Sequence, residues 1–232
     1  LNRLLSLYGL AAAGRFETEV FTPATLVGLE RYRARIQATF APPGWGGLTV
    51  RAAWGPSCGG AGVDLEVQAS ASSVGQLRDL EVVVQSQWRR RDEPESPAAR
   101  ARRVWPRDAR SAAFSYDGRE PARVLHALTT QGPATLPQPQ VLLPPGPEAN
   151  ARYIEMVQPN DVARIVRLEP SEPEGPLLEN LALRYALFGH DFEKGVVFRA
   201  RLRACWLSDR ATAREAATLY REFLAEPLPL GP

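Results

Sequence analysis

The sequence is short of several residue types, and each shortage removes a class of function. Lysine is nearly absent: Lys194 is the only one among 28 basic residues. These face 26 acidic residues, so the formal charge is only +2 and no global field draws the chain to nucleic acid. Cys58 and Cys205, the only cysteines, form no C-x-x-C pair, and a cysteine-based metal site is not expected. Whether the two bridge each other is left open. With only His126 and His190 as histidines, acid–base chemistry would need one of them or a perturbed carboxylate. No apolar run approaches the roughly 18 residues of a membrane span. No G-x-x-x-x-G-K-[ST] loop is present to cradle a nucleotide, and no cofactor is expected. The chain opens on Leu1 rather than methionine, so a processed, trimmed or excerpted chain is expected and no compartment is read from it.

What the sequence has in quantity is period-two alternation, the mark of strands with one buried face. In Glu30–Phe40 the even positions Tyr32, Ala34, Ile36, Ala38 and Phe40 are apolar, with Arg31, Arg33 and Arg35 between them. The pattern recurs in Leu48–Trp54, Val63–Ala71 and Leu80–Trp88. It returns from Val196 to Trp206, where Arg199, Arg201 and Arg203 occupy the polar side. Shorter apolar runs at Phe16–Phe21, Ala112–Tyr116, Arg123–Leu128, Tyr153–Val157, Arg164–Leu168 and Leu181–Phe188 are further candidate strands. Two segments have helical spacing. Leu1–Ala13 places Leu1, Leu4, Leu5 and Tyr8 on one stripe. Thr212–Ala225 places Ala216, Leu219, Tyr220 and Phe223 together, with Thr212 and Glu215 as a capping box.

These signals predict a mainly β chain: a large antiparallel β-sandwich with an N-terminal and a C-terminal helix. One domain over 1–232 is expected, with long connections at about 89–110 and 129–150, both rich in proline. The alternative is two small β domains, 15–89 and 112–207.

Trp54–Val63 contains G-x-S-x-G, which in some hydrolases lifts a nucleophilic serine between a strand and a helix. Here a strand enters but glycines and a second strand leave, so Ser57 is expected at a hairpin tip. The densest group of titratable side chains is His190, Asp191 and Glu193, bracketed by Gly189 and Gly195. Their spacing fits no regular ligand set, and no metal is expected.

The expected sandwich and the two histidines are similar, in general outline, to the sugar mutarotases, which use histidines and a glutamate for proton transfer at the anomeric carbon. That resemblance implies an acid–base set of His126, His190 and a carboxylate such as Glu155 or Glu193. Separately, Arg31, Arg33 and Arg35 with Arg199, Arg201 and Arg203 would form an anion-binding face if both rows share one surface. Asp64, Glu66 and Glu81 are the acids available to neutralise such rows. The leading expectation is a non-catalytic binding or structural module. A mutarotase-like carbohydrate-active enzyme is the alternative, and the arginine face the second alternative. Protein or carbohydrate is expected as partner rather than nucleic acid.

Overall fold

The computed structural model describes residues 3–72, 77–87, 141–143, 151–168, 182–208, 210–211 and 213–227. The fold is mainly β, built on two antiparallel sheets. The smaller has five strands in the order β10 (Val162–Leu168), β11 (Ala182–Phe192), β7 (Leu77–Gln87), β1 (Arg3–Ala12) and β2 (Arg15–Thr18). The larger has seven: β3 (Leu26–Tyr32), β4 (Arg35–Phe40), β5 (Leu48–Ser57), β6 (Gly62–Ala71), β12 (Val197–Ser208), β9 (Ala151–Val157) and β8 (Val141–Leu143). Each sheet joins strands from both ends of the chain: β7 lies between β1 and β11, and β12 between β6 and β9.

Alternation places the core. Val50, Ala52, Leu65, Val67, Ala200 and Leu202 of the larger sheet meet Leu10, Val82, Val84, Leu183 and Leu187 of the smaller in one buried apolar cluster. Burying one such aliphatic side chain is worth about 1.5–3 kcal/mol, which is why the apolar parity of each strand decides the face it turns inward. The indole N–H of Trp54 on β5 also donates to the Leu5 carbonyl oxygen on β1 at 2.9 Å, joining the sheets by a polar contact.

A second, smaller cluster lies on the other face of β9 and β12. Ile154, Met156 and Cys205 are covered there by Ala216, Tyr220 and Phe223 of helix α1 (Ala213–Ala225). Those three helical residues recur at i, i+4 and i+7, one stripe of an amphipathic helix. Arg201 holds the helix end. Its Nη2 donates to the Phe223 carbonyl oxygen at 2.6 Å and its Nη1 to the Glu226 carboxylate at 3.1 Å, satisfying groups a helix C-terminus leaves open. Cys58 and Cys205 form a disulfide across 6.3 Å between Cα atoms, tying the β5–β6 connection to β12.

Three sequence expectations are corrected. No N-terminal helix exists among the described residues; Arg3–Ala12 is a strand. Register shifts between Arg3 and Ser6 and between Leu7 and Gly9 break its alternation, so the inward residues fall at uneven intervals that imitate a helical stripe. Glu30–Phe40 is not one strand but a hairpin turning at Arg33, whose φ is +54°. Within the expected 129–150 connection, Val141–Leu143 pairs with β9 as a strand. The expected strands Ala112–Tyr116 and Arg123–Leu128 and the connection at 89–110 lie outside the described residues. At the C-terminal end the expected helix is present over Ala213–Ala225, while Thr212 lies outside the described residues.

Candidate functional site

The expected acid–base set is not assembled among the described residues. His190, Asp191 and Glu193 are all exposed at the far end of β11. The His190 ring meets Phe198 edge-on at 6.1 Å, and Asp191 accepts the Asp79 backbone N–H at 3.1 Å. Glu155 is elsewhere: fully buried in β9, it projects into the apolar core. Tyr153 donates its hydroxyl to one Glu155 oxygen at 2.5 Å, Tyr185 of the opposite sheet donates to the other, and Ser86 adds a third hydroxyl. Burial raises the Glu155 pKa against those three hydrogen bonds. Burial, with the neighbouring Glu155 charge, also raises both tyrosines well above their ordinary range. His126 lies outside the described residues.

The arginine rows do not form one face. The β3–β4 turn separates Arg31, opposite Ile36, from Arg35, opposite Tyr32, so the three no longer project together. Arg35 pairs with Glu66. Arg203 is opposite Asp64 in register and binds it through two bonds, Nε to Oδ1 at 2.6 Å and Nη2 to Oδ2 at 2.8 Å. A bidentate fork of this kind is among the stronger charge-assisted pairs. Arg201 is buried beneath α1 as described, and Arg199 lies opposite Gln68. The acids of β6 thus stand between the rows. Ser57 ends β5, and only a single 3-10 turn, Cys58–Gly60, with Gly59 and Gly60 at positive φ of +64° and +95°, separates it from β6, so no α-helix leaves the serine.

A different constellation is assembled on the outer face of the smaller sheet. Residues of β7 alternate, with Leu80, Val82, Val84 and Ser86 inward and Glu81, Val83 and Gln85 outward. On β11, Leu183, Tyr185 and Leu187 point inward, which leaves Arg184 outward. Arg184 lies opposite Gln85 and donates from Nε to its Oε1 at 2.7 Å. Its Nη2 donates to the Tyr8 hydroxyl at 2.8 Å, and its guanidinium carbon sits 4.1 Å from the Tyr8 ring centroid. One strand over, Arg164 of β10 pairs with Glu81 at 2.5 Å. Tyr8 in turn stacks on Phe16 of β2, with centroids 6.4 Å apart and planes 29° apart. Gly9 makes the room for that ring: a Cβ there would lie 3.2 Å from the Phe16 ring and 2.5 Å from the Glu17 carbonyl oxygen.

Arg184 is only 1% exposed and Gln85 6%, and the Arg164 and Glu81 side chains are 13% and 12% exposed, whereas Tyr8 and Phe16 are partly exposed. The site therefore has a rigid buried floor edged by two partly exposed aromatic rings. Sequence reasoning passed over these residues. The one signal was Arg184, a lone charge inside the apolar run Leu181–Phe188.

No family model matches the chain, and no curated protein does. Among solved structures it is similar to the GalM/aldose epimerase homologue from C. elegans, at 10% identity and a TM-score of 0.45 over 89% of this chain and 81% of that one. It is also similar to a human-microbiome protein assigned as a kojibiose phosphorylase, at 7% identity and a TM-score of 0.41. That match takes in 96% of this chain but only 26% of the other, so the chain spans about a quarter of that protein's length.

Proposed function

We propose that the chain is a β-sandwich binding module that takes a carbohydrate on the outer face of the smaller sheet. One observation carries the reading: the stacked Tyr8–Phe16 pair is held in place by the buried Arg184–Gln85 bridge, with Arg164–Glu81 beside it. A sugar presents an apolar C–H face and a rim of hydroxyls that donate and accept. A ring pair offers the first a flat contact, and the Arg164–Glu81 pair beside it, whose side chains keep some exposure, suits the second. Preorganisation by Arg184 lowers the entropy lost on binding. At such TM-scores the names of the similar structures lend no weight; the residues do.

The test is calorimetric or NMR titration with glucose, galactose and glucose disaccharides. Binding in the millimolar range or tighter is expected, weakened at least about tenfold by Phe16→Ala, whose ring is partly exposed and not part of the main core. Absence of binding for every sugar at about 10 mM would overturn the proposal.

A second reading, a mutarotase-like acid–base enzyme, is favoured by the grouping of His190, Asp191 and Glu193 in solvent. Glu155 takes no part in it, being sealed from solvent. Polarimetry of fresh α-glucose decides it: catalysed mutarotation lost in His190→Ala supports the enzyme, and a rate equal to the buffer's removes it.

A further inference from the structure

The β3–β4 hairpin carries the four most exposed large apolar side chains among the described residues: Val27 at 66%, Leu29 at 65%, Tyr32 at 66% and Ile36 at 49%. Their exposure follows from the register. Leu29 lies opposite Ala38, and Ile36 lies opposite Arg31 on one side and Trp54 on the other. Both therefore continue the inward-facing rows of the larger sheet, beyond the point where the core covers them. β3 is also the outermost strand of that sheet, and among the described residues no strand pairs with its other edge. The irregularity in its pairing is confined to the step from Leu26 to Gly28, so Gly28–Tyr32 offers a regular edge whose outward backbone groups have no strand partner among the described residues.

The inward face of this edge carries one charge, that of Arg31, while Glu30 lies on the opposite face. Arg31 and Arg33 are exposed, and no ion pair to either occurs among the described residues. The neighbouring acid, Glu30, accepts the Gln37 side-chain amide at 3.4 Å, and Arg35 is already paired with Glu66. Leu29 and Arg31 share the inward face, two residues apart.

We propose that β3 is a docking edge for an extended segment of a partner protein, added as a further strand with an apolar residue against Leu29 and an acidic residue two positions away against Arg31. Strand addition supplies main-chain hydrogen bonds, and the apolar–acidic spacing supplies selectivity. This surface is separate from the Tyr8–Phe16 site, so its success or failure leaves the carbohydrate reading untouched.

The probe is the capped peptide Thr-Asp-Thr-Val-Thr-Asp-Thr, whose acids flank the valine so that strand direction does not matter. A control carries lysine in place of both aspartates. NMR should show saturable shifts along β3 and β4 and slowed exchange of β3 amides on adding the acidic peptide. Affinity should fall about tenfold in the double variant Arg31→Glu/Arg33→Glu and weaken as salt rises. Both substitutions are at exposed positions and leave the core intact. Equal binding of the lysine peptide, unchanged affinity in the variant, or β3 amides that exchange as before each overturn the proposal. So does concentration-dependent dimerisation of the free chain through β3, which would make a second copy the occupant.

Discussion

Truncating Glu155 tests how the two sheets are held together. Its carboxylate lies in the apolar core and receives hydroxyls from Tyr153 on its own strand, Tyr185 on the opposite sheet and Ser86. Ser86 Oγ in turn accepts the Leu5 backbone N–H at 2.9 Å, which carries the network to β1. In Glu155→Ala two tyrosine hydroxyls lose their acceptor in a place water does not reach. Each such group costs about 1–3 kcal/mol, so with the lost packing the variant should be less stable by about 3–5 kcal/mol. For a chain of this size that is a fall in melting temperature of about 6–20 °C.

Glu155→Gln separates hydrogen bonding from charge. The amide oxygen accepts from one tyrosine and the amide nitrogen donates to the other, so the cost at acid pH should be about 1 kcal/mol. The two proteins should then converge as pH rises. Burial holds the folded Glu155 pKa above its unfolded value. The stability this confers is complete below the unfolded pKa, near pH 4, and is lost as pH climbs through the folded one. Urea midpoints followed by tryptophan fluorescence across that range give both quantities. A loss below about 1 kcal/mol in the alanine variant, or the same pH slope in wild type and Glu155→Gln, would refute the account.

Two further outcomes are expected. Asp161 accepts the Arg201 backbone N–H at 3.4 Å, yet burial pushes its pKa up to about 6. Its contribution should be complete below about pH 4 and lost as pH rises through about 6, and Asp161→Asn should flatten that part of the stability–pH curve. The Cys58–Cys205 bridge spans a sequence separation of 147, so reducing it should lower the unfolding free energy by about 2–5 kcal/mol. Urea melts with and without dithiothreitol measure this, and the Cys58→Ala/Cys205→Ala double variant should reproduce the reduced value without responding to the reductant.

The strands with clean alternation were legible because a face turned to an apolar core leaves its period in the residues. Leu48–Trp54 and Val63–Ala71 fall on strands, as does Val196–Trp206 from Val197 onward, and the helix Ala213–Ala225 shows its stripe. The same rule misled at Arg3–Ala12, where bulges reset the parity, and at Glu30–Phe40. There a tight turn at Arg33 interrupts the strand without glycine or proline to announce it.

The chain alone determined which side of each strand is apolar, since that depends on neighbours one and two residues away. It also determined that few groups exist for acid–base chemistry. Only the tertiary structure decided which strands are neighbours, because pairing depends on contacts across most of the chain. That placed Arg184 beside Gln85 and Tyr8, residues 99 and 176 positions away from it. It put Glu155 beneath Tyr185 in the core while leaving His190 in solvent, and it set Asp64 against Arg203. Alternation names the face a side chain occupies; the order of strands within the sheets names its partners.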